Sequence, residues 1–400
     1  MRFVTLAIAF VLVGALADAA EKPPAGAVPH TVLDETAGKW FVDRFAGNST
    51  GAEGFIQGPA RQTGGLGRCA VAPAPDGSVY LAVGDHKWVH DKIVRVSPEG
   101  QMTLLAGGGS SLADGPARAA SVAIARRGSS LIYSKSDESL YFVASTVPAV
   151  RRLYQKDGEW FVETVAGSMT ETGEKDGTGA DARFLAPRSL VVTSTGTIYV
   201  MDNRHILRKV EKGQASTVAR MVKHKDPRDG PLAGGSMQIL MSGHITLGEN
   251  DDTLYVSDHW HFSVRKIDLK AKTITTVAGL RPGAEYKKRG RAADGPALTH
   301  ATFHSGCAYV CWDPIRKALW CGGPDQMRHR WLKDGWVKTV IDSKGNKWNW
   351  PKDSLGVPGK AMGTHHHNVA AVDAKGGVYI VAGGGDGTGV WRAYMKGGAE

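Results

Sequence analysis

A phrase of about 60 residues returns through the whole chain and limits its fold more than any other feature. The clearest copy runs Thr164-Val165-Ala166-Gly167, then Asp176-Gly177, then Phe184 and Pro187, then Thr197-Ile198-Tyr199-Val200-Met201-Asp202, and closes on Ile206-Leu207-Arg208-Lys209-Val210. The Ala-Gly element recurs at Ala46-Gly47, Ala106-Gly107, Ala166-Gly167 and Ala278-Gly279, spaced by 60, 60 and 112 residues, the last being two periods. Asp-Gly, once Gln-Gly, recurs at Gln57-Gly58, Asp114-Gly115, Asp176-Gly177, Asp229-Gly230 and Asp294-Gly295. An apolar-aromatic core segment recurs six times, at Val79-Tyr80, Leu140-Tyr141, Ile198-Tyr199, Leu254-Tyr255, Leu319-Trp320 and Val378-Tyr379, which predicts six units.

Within a unit the apolar runs are short, β-branched or aromatic, and bounded by turn residues, which predicts four strands, a to d, rather than helices. In the third unit they span roughly 188–193, 197–201, 206–210 and 215–219. The a-to-b turns carry Asp76-Gly77, Asn250-Asp251, Asp313-Pro314 and Gly376-Gly377, residues suited to hairpins. Four-stranded antiparallel sheets repeated radially form a six-bladed β-propeller, all-β in class. After its b strand at 378–381 the sixth unit has room only for a c strand at 390–394, whereas Lys39 to Gly47 has the character of a d strand with no blade before it. The N-terminal strand is therefore expected to complete the last blade and close the ring over residues 38–396.

These motifs resemble the NHL-repeat propellers, whose units share a Val-Ala-Gly ending, Asp-Gly, Pro before strand a, an Ile-Tyr-Val-x-Asp strand and an Ile-Arg-Lys strand. The resemblance covers nearly the whole chain after its leader and implies a fold rather than an activity. Relatives of this kind that are enzymes, such as the peptidyl-hydroxyglycine lyase, hold a metal through histidines from separate blades with an Arg beside it. His304, His366 and Arg188 resemble that layout.

Met1-Arg2, an apolar run from Phe3 to Leu16 and then Ala17-Asp18-Ala19 have the form of a secretory signal peptide, 1–19. The run is too short to span a bilayer comfortably, so a secreted or periplasmic monomer without a transmembrane anchor is expected. Residues 20–37, with Pro23, Pro24 and Pro29, form a flexible lead. Of four cysteines, Cys311 and Cys321 flank the Asp313-Pro314 hairpin and make the best disulfide pair, with Cys69 and Cys307 left as thiols. The formal charge of +10 favours acidic partners outside the cytoplasm, a polysaccharide or a protein, and no nucleic acid is expected. The densest basic run is Lys287-Lys288-Arg289-Gly290-Arg291.

Because strand a leaves one face of the ring and strand b returns to it, the d-to-a and b-to-c loops share that face. On this map, 13 of the 14 histidines fall there. His205, His86, His90 and His261 follow strand b and are expected to be paired structurally. His244, His304, His366 and His367 stand at or just before strand a. Converging on the axial mouth, they are the candidate ligands of a divalent metal such as zinc with an open position. Arg68, Arg188 and Asn368 are expected deeper in the same mouth. Trp88 and Trp260, beside His259 in a b-to-c loop, and Trp348 and Trp350 in a d-to-a loop add indoles suited to stacking on sugar rings. No Gly-Lys-Ser phosphate loop, Gly-x-Ser-x-Gly elbow or Cys-x-x-Cys appears. Two functions remain open from the residues: a ligand-binding or protein-interaction module for an acidic glycan or protein on the His/Trp face, or a metal-assisted lyase or hydrolase at the mouth, with Arg188 steadying charge.

Overall fold

The computed structural model describes residues 40–47, 57–63, 66, 69–84, 91–122, 124, 130–143, 147–222, 224, 227–235, 244–279, 293–303, 306–322, 328–342, 357–358, 366–383 and 389–395. The expected signal peptide and lead, and the basic run at 287–291, lie outside these residues. Six antiparallel sheets are arranged as the six blades of a propeller, and a single 3-10 turn, Gly179–Asp181, is the helical content of the described residues. Among them no helix is long and apolar enough to cross a membrane.

Strands a to d are Ala70–Pro73, Val79–Val83, Lys92–Val96 and Gln101–Gly107 in blade 1, and Leu131–Ser134, Ser139–Val143, Ala149–Lys156 and Glu159–Gly167 in blade 2. Blade 3 has Pro187–Val192, Ile198–Asp202, Ile206–Glu211 and Gln214–Arg220, and blade 4 has Ile245–Leu247, Thr253–Asp258, Ser263–Asp268 and Thr273–Gly279. Blade 5 has Tyr309–Asp313, Ala318–Gly322, Arg328–Lys333 and Trp336–Asp342. In blade 6, His366–Val372, Val378–Gly383 and Gly389–Met395 are followed in the sheet by Trp40–Ala46, which pairs with the last of them from Trp40↔Met395 to Ala46↔Val390.

The expectation of four strands per blade is corrected in one respect. Each sheet carries a fifth strand of two residues against the outer edge of d, at Gly58–Pro59, Gly115–Pro116, Gly177–Thr178, Gly230–Pro231, Gly295–Pro296 and Val357–Pro358. In the first five blades it begins with the Gly of the Asp-Gly or Gln-Gly element. A two-residue pairing has no periodicity to announce it, so the sequence showed the motif without its role. The Ala-Gly element has a different cause. Gly107, Gly167 and Gly279 have φ of +91°, +106° and +94°, and a Cβ there would lie 2.2, 2.5 and 2.4 Å from the carbonyl oxygens of Asp91, Pro148 and Phe262. Left-handed backbone and close approach to strand c together require glycine.

The core lies between blades. Six apolar clusters fill the six gaps, so each blade buries both faces of its sheet; Ala46, Val390 and Tyr379 of blade 6 pack with Leu66, Val71 and Leu81 of blade 1. Trp40 is fully buried between blades 5 and 6, edge-on to Trp320 and Trp331 at 5.3 and 5.8 Å. This is the packing role the sequence suggests for a tryptophan in a d strand.

Four buried arginines mark strand c of blades 2 to 5: Arg151, Arg208, Arg265 and Arg330. Each stands opposite a threonine of strand d: Thr164, Thr217, Thr276 and Thr339. The Asp of Asp-Gly ties the two together. Asp176 accepts from Arg208 at 3.0 Å and from the Thr217 hydroxyl at 2.9 Å; Asp114 and Asp229 do the same for their arginines and threonines. In blade 5 Asp294 holds Thr339 at 2.8 Å, while Arg330 donates to the carbonyls of Ala293 and Thr302. In blade 1 all three residues change at once, to Gln57, Val94 and Leu104. In blade 6 they become Gly356, Trp391 and Arg44, and the Arg44 guanidinium lies 4.7 Å from the Trp391 ring. The three positions are thus one unit, in which the carboxylate offsets the cost of burying a guanidinium.

The cysteine expectation is also corrected. Cys311 pairs in register with Trp320, and Cys321 with Val310. Cys311 packs into the core between blades 5 and 6 and Cys321 into that between blades 4 and 5, on opposite faces of the sheet. All four thiols are free, and burial pushes those of Cys69, Cys311 and Cys321 up to about 12.

Candidate functional site

The pairing registers fix which residues share a level around the axis. Strand-a positions opposite equivalent strand-b residues are Ala70, Ser130, Ser189, His244, Tyr309 and Asn368. At this level hydroxyls stitch blade to blade. The Leu190 amide donates to Ser130 Oγ at 3.2 Å, and the Ile245 amide donates to Ser189 Oγ at 3.1 Å. Arg188 stands one residue before the shared level, His366 two before and His304 five before. His244 is half-buried, and burial pushes its imidazole down to about 4, so it is neutral at neutral pH. Its amide and carbonyl are held by Ser257 at 2.9 and 3.1 Å.

Arg188 sits in a β-bulge, between the pairs Pro187↔Asp202 and Ser189↔Met201. Facing it is the b-to-c loop of blade 3, Asn203-Arg204-His205, tied down by the Asn203 amide donating to the Ala186 carbonyl at 3.1 Å. Asn203 and Arg204 both adopt left-handed backbone, with φ of 44° and 69°, a conformation costly for residues other than glycine. Asp202, fully buried, spends its oxygens on the amides of Leu185 and Ala186 at 3.0 and 2.6 Å and lies 3.7 Å from Arg208. Burial pushes its carboxyl up even so. Neither Arg188 nor Arg204 makes a side-chain hydrogen bond or ion pair among the described residues, and Arg188 Nε is inaccessible to solvent. Burial, and after it the charge of Arg204, pushes the Arg188 guanidinium below its usual value, with Asp202 pulling the other way.

The next blade presents Asp258-His259-Trp260-His261 in the same kind of loop. His261 is buried, its Nδ1 2.7 Å from Asp258 and its Nε2 2.9 Å from the His224 carbonyl. Burial pulls this imidazole down, but the bond and charge of Asp258 outweigh it and leave its pKa raised. It is a structural histidine, as expected. His259 is wedged against blade 5: a Cβ on Gly306 would lie 2.3 Å from its Nδ1. Trp260 is 53% exposed, while every other described indole is buried or half-buried. Its ring stands edge-on to His259 at 6.4 Å.

Arg188, His244, His259 and Trp260 are thus brought to one face, on the adjacent blades 3 and 4. Arg68, Trp88, His304, Trp348 and Trp350, like His86 and His90, lie outside the described residues. For His366, His367 and Asn368 the backbone alone is described, in strand a of blade 6. His329 departs from its expected place on the loop face. It is buried at the start of strand c of blade 5, where its Nδ1 is hydrogen-bonded to the Tyr309 hydroxyl across 2.6 Å, and burial pushes its pKa down to about 4. Arg204 was missed by sequence reading, since nothing in Asp-Asn-Arg-His marks an arginine without a partner.

A cavity of about 520 Å³ lies away from this face, at the outer seam of blades 6 and 1, lined by Asp43, Arg44, Arg61, Glu99, Arg392 and Tyr394 among others. Its cations are largely engaged, Arg392 with Asp373 at 2.9 Å and Arg44 on the Trp391 ring.

No protein-family model and no curated protein matches the sequence. Solved structures do resemble the fold. One is a structural-genomics protein of unknown function from Bacteroides thetaiotaomicron, 13% identical, with a TM-score of 0.62 over 89% of this chain and 76% of that one. Another is a gluconolactonase from Xanthomonas campestris, 12% identical, with a TM-score of 0.50 over 94% of this chain and 95% of that one. A streptogramin B lyase, 10% identical, has a TM-score of 0.49 over 89% and 98% of the two chains. At such identities the first two establish the architecture, a six-bladed β-propeller, and the site must be argued from its own residues.

Proposed function

We propose that this chain is an exported propeller of the NHL-repeat type, with a signal peptide at 1–19, a lead at 20–37 and a ring at 38–396 closed by its N-terminal strand. It acts as a monomeric binding module for an acidic glycan or an acidic protein partner, on the face that carries the b-to-c loops. The observation that carries this reading is Trp260, an indole left 53% exposed in a molecule that tucks its other described indoles away, beside a loop with an unpaired arginine. Exposed aromatic surface next to cationic groups suits a ring-bearing, negatively charged ligand. The excess of positive charge supports the same partner class through steering.

The test is chromatography of the purified protein on immobilised polygalacturonate, a sulfated resin and an uncharged matrix. Retention on the acidic resins that weakens with salt, and that falls for Trp260→Ala, is the expected result. Equal retention on the uncharged matrix rejects the reading.

A further inference from the structure

We propose that Arg188 and Arg204 form a carboxylate-accepting site, taking the uronate group of an acidic glycan whose sugar ring lies toward Trp260. This rests on the binding-module reading above and names the site and the ligand chemistry.

Three features of blade 3 converge on it. The two guanidiniums are brought together by the hairpin itself. Arg188 occupies the bulge opposite Asp202, Arg204 lies two residues beyond Asp202, and the Asn203 amide is fastened to the Ala186 carbonyl at 3.1 Å. Neither guanidinium has a hydrogen bond or ion pair among the described residues, although the four strand-c arginines of this ring bond carboxylates or carbonyls. Among the described residues the carboxylate that acts on Arg188, that of Asp202, is already used by two backbone amides and fully buried. Two like charges held near each other, one with Nε cut off from water, are costly as they stand, and Arg204 is held on left-handed backbone as well. An arriving carboxylate relieves this arrangement. It accepts paired N–H bonds from a planar fork and cancels the repulsion, the geometry in which arginine is most effective.

The neighbouring blade explains why the anion is carried on a sugar. Counting from the Asp that ends strand b, Arg204 in blade 3 and Trp260 in blade 4 are both the second loop residue, after Asp202 and Asp258. Their inner strands are adjacent in the ring. Cation and indole therefore lie in the b-to-c loops of adjacent blades, loops of three and four residues, on one face of the ring: a cationic fork and an apolar plate. A uronate offers the matching pair, a carboxylate on a pyranose ring.

The experiment is calorimetric titration of the full chain with a galacturonate hexamer, with its methyl-esterified form and with a sulfated oligosaccharide of similar length. The wild type should bind the free acid and lose about 10–100-fold on esterification, the range of one or two lost charge-assisted bonds. Arg188→Met and Arg204→Ala should each weaken binding about tenfold or more, and Trp260→Ala should weaken binding of the free acid while leaving the cost of esterification unchanged. Arg204→Ala, in a surface loop, keeps the test open if Arg188→Met unfolds. Wild type binding with both arginine variants unaffected rejects this site but leaves the binding-module reading standing. No binding to any of the three oligosaccharides rejects this site and, with it, the glycan form of the binding-module reading. Equal affinity for the sulfated and carboxylated chains rejects carboxylate recognition in favour of unspecific charge.

Discussion

The Asp-Arg-Thr unit of blades 2 to 5 predicts that removing one member costs more than removing all three. In blade 3, Asp176 accepts from Arg208 at 3.0 Å, from the Thr217 hydroxyl at 2.9 Å and from the Thr217 amide at 3.1 Å. The Arg208 side chain is fully buried and that of Asp176 is 50% exposed. Breaking a fully buried pair costs about 3–5 kcal/mol, and a single charge-assisted bond about 1.5–3 kcal/mol. Because half of Asp176 is in water and Asp202 stays 3.7 Å from Arg208, Asp176→Asn belongs near the lower figure, at about 2 kcal/mol. Blade 1 shows that an uncharged unit also fits the fold, with Gln57, Val94 and Leu104 in the same places. The triple variant Asp176→Gln, Arg208→Met, Thr217→Leu, in which Met fills the volume of the arginine stem, should lose less than Asp176→Asn, although it also gives up the Arg208 bonds to the Arg183 and Lys175 carbonyls and the guanidinium charge beside Asp202. Urea unfolding followed by both tryptophan fluorescence and far-UV circular dichroism measures the difference, given coincident transitions. A triple variant as unstable as Asp176→Asn, or more so, refutes the idea that the carboxylate serves mainly to offset the buried guanidinium.

Three further outcomes are expected. Deleting residues 38–47 should expose the edge of the last blade and remove Trp40 from its seat between Trp320 and Trp331, giving aggregation or a loss beyond the about 3–5 kcal/mol of Trp40→Ala alone; a truncated protein that melts like its parent overturns closure by the N-terminal strand. His329 and His244, each held down to about 4 when folded against about 6.5 when unfolded, bind protons more readily in the unfolded chain, so stability should fall as pH drops from about 6.5 towards 4. His261, with its pKa raised, opposes this trend. The slope between pH 7 and 5 should shrink in His329→Gln, and an unchanged slope removes His329 as a cause. The alternative metal-assisted reading predicts one equivalent of a zinc-like ion by mass spectrometry, lost in His304→Ala/His366→Ala with the melting temperature kept; wild type prepared without chelator and free of metal eliminates it.

The legible part of this protein is what every blade must repeat. Glycine at Gly107, Gly167 and Gly279 is imposed by backbone oxygens within 2.5 Å of a Cβ, and Ile-Tyr-Val strands are imposed by gaps that bury both faces of each sheet. Such constraints recur around the ring, the strand in all six blades and the glycine in four, so they surface as a period. What stayed hidden acts over two residues or across a register. The fifth strand is too short to alternate, and the separation of Cys311 from Cys321 turns on a one-residue step in pairing that sends neighbours to opposite faces. Register likewise sets His244 and Tyr309 at one level while Tyr309 turns away to His329.

The same logic says where function must be sought in a ring built from copies. A residue that recurs at its repeat position has a packing reason to be there, as Arg151, Arg208, Arg265 and Arg330 do. A polar residue that appears in one blade, and for which that blade's packing has no use, has no such reason. Arg188 and Arg204 belong to this second class: they lack the partners that the strand-c arginines have among the described residues, repel each other and sit on bulged and left-handed backbone. Trp260 belongs to it too, since an indole contributes to stability by leaving water and this one stays in it. The stability these three residues forgo falls on one face and on adjacent blades, which is the distribution expected when the missing partner is a ligand rather than the rest of the chain.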